Sequence, residues 1–376
     1  MRDEYAYRRT QLTAVSTLLF LSPALRLVPG RSAELTGRGA WMSVLWALPP
    51  LLLYALFLRR LAEGRQDGEG LGELILRCLG KRAGTFLLTV LALWFLIYGG
   101  FMLRAGAERM ISTVYPGASP PVFIVVMASL GLFAALGSER SIVRCAKLMA
   151  PVVLGVLLTV LIFGSIDAES ENLLPLTAYE VLFSMRAAPV TLDVAVLPMV
   201  LSLFLGGGTT KTEDSGFLRT ALWLLEMLVL LAWIELCILG SFGAELTARL
   251  NHPFFTLVRN LVLFGSVERP EALVVSLWVF SDFILISVCL SVSQRLLRCC
   301  MGKRCGYTGE KPSDLGSGRW IIPLCALFAA LVALVCAPDP WMLRFWSEKL
   351  IPYANLSVAF ILLPVIYIAG RAQKTV

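Results

Sequence analysis

Histidine occurs once in the 376 residues, at His252, and charged side chains make up only 16% of the chain. A soluble protein is about a quarter charged, so a large water-facing surface is excluded. With one histidine and no carboxylate pair at catalytic spacing in a polar segment, hydrolytic and metal-assisted chemistry has no residues to work through. No catalytic residue, cofactor or metal is expected, and the chain reads as a non-enzyme. Cysteine is present nine times, yet neither zinc spacing nor a disulfide framework is visible. Cys78, Cys145, Cys237, Cys289, Cys325 and Cys336 lie in or beside apolar runs, and Cys299, Cys300 and Cys305 share one basic segment. A phosphate loop is missing too, because "GGGTTKT" at 206–212 has Thr210 where a glycine should precede the lysine, and no strand comes before it. No small-residue cleavage signature follows the first apolar run, so that run is expected to be a retained span.

What is present in quantity is apolar sequence, 57% of the chain. A helix needs about 20 apolar residues to cross a hydrocarbon core about 30 Å thick. Ten runs qualify, near 11–28, 40–58, 84–103, 121–137, 141–163, 188–205, 218–240, 271–297, 320–337 and 351–370. The expected fold is therefore an all-α polytopic membrane protein of ten transmembrane helices in a single domain. The formal charge of +7 sits largely in short segments between runs, with clusters such as Arg59, Arg60, Arg65, Arg77, Lys81 and Arg82. Placing the N-terminus in the cytoplasm puts two thirds of the 33 basic residues on that side, as the positive-inside bias requires. Both termini are then cytoplasmic, and the bases orient the protein in lipid; no nucleic acid partner is implied.

Ten spans divide into two five-span halves, about 11–163 and 188–370. The first span holds Ser22 and Pro23 near its middle, and the sixth holds Pro189, Asp193 and Pro198 within ten residues. Proline removes a backbone donor and clashes one turn back. Paired interruptions at corresponding positions mark a transporter binding site, although each proline alone is also what a plain kink would show. Asp193, Glu226, Glu235 and Asp282 all fall inside spans, where a carboxylate is costly and normally faces a bundle interior. Glu226 and Glu235 can equally serve as hydrogen-bond glue between helices, and Lys147 is either a snorkelling anchor or the partner of a buried carboxylate. Between the seventh and eighth spans, 251–269 is too short and charged to cross. Its apolar residues Phe254, Leu257, Val258 and Leu261 recur at helical spacing while Arg259 and Asn260 fall off that face, which suits an outer amphipathic helix. Either it anchors a loop or it gates a site through Phe254, Leu257, Val258 and Arg259.

The same stretch carries a resemblance. "PFFTLVRN" at 253–260 and "SVERPEALVVSLWVFSDFILISV" at 266–288, with "RGAWMSVLWAL" at 38–48, "NLLP" at 172–175 and "FILLPVIYIAGR" at 360–371, resemble segments of the GerAB-type spore germination proteins, the B-subunits of nutrient germinant receptors. The resemblance spans nearly the whole chain. It implies a relative of the amino acid, polyamine and organocation permease superfamily, with a LeuT-like 5+5 inverted repeat and broken helices 1 and 6. It also implies a small nutrient as ligand, such as an amino acid. Expected partners are a germinant receptor A-subunit and a lipoprotein C-subunit in the spore inner membrane. The family's break in span one falls on Ser22 and Pro23 and its span-six motif near Leu192, Asp193 and Val194, so the ligand-binding residues it implies are Leu21, Ser22, Pro23, Ala24, Thr191, Leu192, Asp193 and Val194. Where the family often has a fifth-span glutamate this chain has Lys147, a possible charge partner for Asp193. An amino acid permease or symporter is the alternative function, and a passive scaffold for the A-subunit is a third.

The basic-residue bias makes a topology prediction. In a background without the native cysteines, single cysteines at Gln66 and Gly302 should react with an impermeant maleimide only from the cytoplasmic side, and one at Ser170 only from outside. Labelling of Gln66 in intact cells would sink the arrangement.

Overall fold

In lipid, a run of Leu, Ala and Val can satisfy its own backbone groups only as a helix. The computed structural model describes residues 9–64, 69–174, 177–205, 216–261, 270–302 and 320–372, and every regular element among them is helical. In chain order these are α1 (Arg9–Thr36), α2 (Ser43–Glu63), α3 (Leu71–Thr113), α4 (Pro120–Leu136), α5 (Glu139–Ile166), α6 (Ala178–Phe183), α7 (Ala188–Leu205), α8 (Gly216–Arg249), α9 (Pro253–Asn260), α10 (Pro270–Cys300), α11 (Ile321–Val335), α12 (Pro340–Phe345), α13 (Ile351–Ser357) and α14 (Leu363–Ala372). Seven segments are long and apolar enough to cross a membrane. One of them, Gln11–Glu63, contains both α1 and α2, and α4 and α11 are shorter apolar helices. With α6 and α7 forming one crossing and α12 to α14 another, the described residues supply the ten membrane helices that the apolar runs suggest.

The ends and bends have local causes. Ser138 caps α5, its hydroxyl accepting from the Ser141 amide at 3.2 Å, and Thr177 and Glu180 form a reciprocal capping box at the start of α6. Gly80 (φ 74°) and Gly243 (φ 68°) turn α3 and α8 sharply, a left-handed conformation that a Cβ would strain. Asn172, from the "NLLP" stretch, supports the second bend: its amide donates to the Gly240 carbonyl at 2.7 Å. Pro175 of that stretch lies outside the described residues, as do 262–269 of the predicted outer segment.

The proline-bearing spans depart from the sequence expectation in detail. α1 keeps helical backbone through Ser22, Pro23 and Pro29. Pro23 leaves one carbonyl of the preceding turn without its helical donor, and the Ser281 hydroxyl of α10 donates to the adjacent Leu18 carbonyl, so a neighbouring helix supports the weak turn. The sixth crossing is interrupted by a 3-10 turn over Ser184–Ala187, ahead of Asp193, which itself sits in regular α7. The last crossing contains two π-turns, Trp346–Leu350 and Val358–Leu362. One cysteine also departs from expectation, since Cys299 is disulfide-bonded.

α1 is the interior helix. It packs against α5, α7, α8 and α10, and Leu18, Phe20, Leu21, Ala24 and Val28 are essentially inaccessible. α3 packs closely on α10 and α11. At Gly100 of α3 a Cβ would stand 2.7 Å from the Ala329 carbonyl oxygen and 2.8 Å from Val332 of α11, so the two backbones meet only because the side chain is absent. Gly100→Val should lower stability by about 1–3 kcal/mol, measured as thermal unfolding in detergent, whereas Gly155→Ala, with nothing within 4 Å, should leave it unchanged. Equal stability of the two variants would contradict the close approach.

Candidate functional site

Two polar clusters lie inside the helix bundle, and each holds part of the sequence-predicted site. The first joins α1, α3 and α10. Ser22 donates a hydrogen bond to Oδ1 of Asp282, and the Arg109 guanidinium forms an ion pair with Oδ2 of the same carboxylate. Arg109 and Asp282 side chains are 1% and 3% exposed, so each charge depends on the other. Gly106, one turn before Arg109, makes room: a Cβ there would lie 3.2 Å from Asp282 Oδ2.

This cluster has an aromatic cover. Trp278 precedes Asp282 by one helical turn and therefore shares its face. Its ring lies 4.5 Å from the Arg109 guanidinium carbon, a cation–π contact. Phe255 of α9 stacks on Trp278 at 4.5 Å between centroids, and Phe254 meets the same ring at 5.6 Å. α9 thus presents the amphipathic pattern read from sequence. Phe254, Leu257, Val258 and Leu261 are buried, Arg259 and Asn260 are exposed, and the helix ends at Asn260. Pro253 fits the first helical turn, where no amide donor is needed. Phe254 also closes an apolar cavity of about 30 Å3 against Leu21, Val153, Leu157 and Ser281.

The second cluster joins α3, α7 and α13. Asn355 donates from Nδ2 to Asp193 Oδ1 at 2.7 Å and accepts at its own oxygen from Trp94 Nε1 at 3.0 Å. Thr191, on the same helix as Asp193, shares a hydrogen bond of 3.1 Å with Ser43 of α2. Ser22 and Asp193 therefore have different partners, although α1 and α7 are in contact. Of the other expected site residues, Leu21, Pro23, Ala24 and Val194 are buried and Leu192 is half-buried. The Lys147–Asp193 pair does not form: Lys147 is exposed on α5, Asp193 is buried, and Asn355 meets the carboxylate instead. Of the remaining carboxylates, Glu226 is exposed, and Glu235 is fully buried beside the Ser32 hydroxyl without hydrogen-bond geometry to it.

Arg109, Trp278, Asn355 and Trp94 were not singled out from sequence. Arg109 lies beyond the third apolar run, which ends near Leu103, while α3 continues to Thr113. The one available signal was the spacing of Trp278 and Asp282, four apart and so on one helix face. Among the described residues no group of histidine, cysteine and carboxylate side chains could hold a metal ion.

Ten membrane helices gathered about an interior α1, with buried charges where α1, α3 and α10 meet, define a membrane protein of the transporter class. Comparison supports that class and narrows it. The family model for spore germination proteins of the permease type matches residues 11–303, and the chain belongs to that family. No curated protein matches it. Among solved structures it is similar to a Na+-coupled sialic acid symporter in a substrate-bound outward-open state. The TM-score is 0.59 at 12% identity, covering 96% of this chain and 79% of the symporter. It is also similar to Mhp1, a nucleobase-cation-symport-1 family transporter in a closed conformation with bromovinylhydantoin bound, with TM-score 0.65, 14% identity and coverage of 98% and 80%. The fold is thus the LeuT-like transporter fold.

The buried ion pair makes a quantitative prediction. Asp282→Asn should destabilise the protein by about 3–5 kcal/mol, the usual cost of stranding one buried charge. Arg109→Met combined with Asp282→Leu should recover most of that loss in thermal unfolding. Additive losses in the double variant would show that the two residues are not coupled.

Proposed function

We propose that the protein is the B-subunit of a nutrient germinant receptor, one that binds a small nutrient such as an amino acid in a transporter-like site and signals to partner subunits. The A-subunit and the lipoprotein C-subunit are the partners, and the spore inner membrane is the setting, with both termini cytoplasmic. The two halves, about 11–163 and 188–370, are read as inverted repeats. The observation that carries the reading is the continuous path from α9 through Phe255, Trp278 and Arg109 to Asp282 and Ser22. It links a surface helix to the interior first span by contacts that each have a defined geometry.

In this reading α9 is an outer lid, with Phe254, Leu257 and Val258 seated in the bundle and Arg259 facing water or a partner subunit. The ligand sits where α1 and α7 meet, near Leu21 to Ala24 and Thr191 to Val194. The Ser22 hydroxyl and the Asp193 carboxylate are the polar groups offered there once Asp282 and Asn355 release them. A ligand shifts such an equilibrium only by its differential affinity for the two states, and opening the lid exposes Trp278 and costs Arg109 its aromatic cover. Lid position and the state of α1 are therefore energetically tied. The second reading is an amino acid symporter, favoured by the transporter fold itself.

A tether tests the lid. A Cβ at Gly30 of α1 would stand 3.6 Å from the Pro253 ring, within reach of a disulfide. Spores carrying Gly30→Cys with Pro253→Cys should fail to answer nutrient when oxidised and recover on reduction. A tethered protein that responds at the wild-type dose would rule out a moving lid. Purified protein that concentrates labelled L-alanine in liposomes under a proton or sodium gradient would favour the symporter.

A further inference from the structure

A second cavity, of about 130 Å3, opens beside α9 and is lined by α1, α3, the residues leading into α9, and the start of the last crossing. Its charged lining is Arg26, Arg31, Glu108, Arg344 and Glu348. Most of these are mutually satisfied. Glu348 accepts from Arg344 at 2.6 Å and lies 3.7 Å from Arg31. Glu34, near the rim, takes Arg31 at 2.7 Å and Arg344 at 3.4 Å, and Glu108 is held by Arg104 at 2.7 Å. Arg26 is different. Among the described residues its guanidinium meets only the Ser347 hydroxyl at 3.2 Å and the Met102 sulfur at 4.0 Å. Asp193 and Glu348 are the carboxylates whose charge it feels, and neither is within ion-pair distance.

A guanidinium has five N–H donors and cannot lose its charge, and a cation inside a membrane span is normally paired. Arg26 has donors left over and a polar cavity in front of it. We propose that this cavity is an anion site, in which Arg26 receives one small anionic group, either the carboxylate of an organic ligand on its way to the interior or a free inorganic anion such as chloride. The cavity lining includes none of the Ser22, Arg109, Asp282, Asp193 and Asn355 side chains, and the proposal rests on the receptor reading only for the choice of organic probes.

Three further features fit a single negative charge. The two lining glutamates are already neutralised, so they do not repel it strongly. His252 lines the same cavity, and burial first, then Arg109 and Arg26, push its imidazole down to about 4, so at neutral pH it adds no charge and can donate from one ring nitrogen. Ser112 and Asn251 add uncharged polar groups to the wall. A dianion would exceed the charge of one unpaired guanidinium. An uncharged sugar would leave the guanidinium uncompensated.

The test uses the purified full-length protein in lipid nanodiscs at fixed ionic strength, with thermal unfolding as readout and sodium acetate, sodium chloride, L-alanine, L-alaninamide and D-glucose as probes. Acetate or chloride should stabilise the wild type, L-alanine should outperform L-alaninamide at least tenfold in apparent Kd, and glucose should do nothing. Arg26→Gln should abolish that discrimination, Arg26→Lys should keep part of it, and Arg59→Gln, on a distant exposed turn, should keep all of it. A response to acetate and L-alanine without chloride assigns the site to the ligand's carboxylate; a response to chloride at similar concentration assigns it to a free anion. Anions that give no shift, or the same shift in Arg26→Gln as in wild type, would overturn the site. In spores, Arg26→Gln that answers nutrient at the wild-type dose while the oxidised lid tether blocks it would remove the anion site and leave the receptor reading standing.

Discussion

A charge placed among apolar helices must carry its counter-charge with it, and the meeting of Arg109 with Asp282 is where this protein obeys that constraint most strictly. The pair fixes α3 against α10, and Ser22 draws α1 to the same point. Because α1 is also the helix around which α5, α7, α8 and α10 gather, a local electrostatic requirement becomes a requirement on the whole bundle. Moving α3 relative to α10 means opening a buried pair, which costs several kcal/mol, and moving α1 away from them breaks the Ser22 hydrogen bond to the same carboxylate. Such a junction favours discrete arrangements over gradual deformation.

The aromatic cover gives this junction a surface reporter. α9 is only eight residues long, too short to be stable alone, so its helicity comes from seating Phe254, Phe255, Leu257 and Val258 in the bundle. A partner that competes for the exposed Arg259 and Asn260 side could draw on that weak element without touching the interior. The Phe255 and Trp278 stack would then carry the change inward to Arg109.

Much of this was legible in the sequence, for physical reasons. Span count and approximate limits follow from run length against bilayer thickness. The α9 face follows from the spacing of Phe254, Leu257, Val258 and Leu261, which is helical whether or not a structure is known. Asp193 and Asp282 stood out because a carboxylate in a span needs an explanation. Their partners were another matter. Asn355 lies 162 residues from Asp193 and Arg109 lies on a different helix from Asp282, and nothing in local periodicity says which buried groups meet across a bundle. The suggested Lys147 partner failed for that reason: charge complementarity alone cannot tell a lipid-facing turn from an inward one. Arg109 lies beyond the third apolar run, where hydropathy marks only that apolar residues stop, whereas a helix held by its neighbours continues to Thr113.

The two short helices leave a mark on the membrane itself. α4 has 17 residues and α11 has 15, and they pack against each other on one flank of α3. At 1.5 Å per residue they rise only about 22–26 Å, less than the hydrocarbon thickness of about 30 Å that the longer helices can match. Lipid beside this flank must thin to meet them, at a cost of a fraction of a kcal/mol per ångström of mismatch. The protein thus has a shallow side and a deep side, and bilayer thickness becomes a quantity to which its orientation and its choice of neighbours respond.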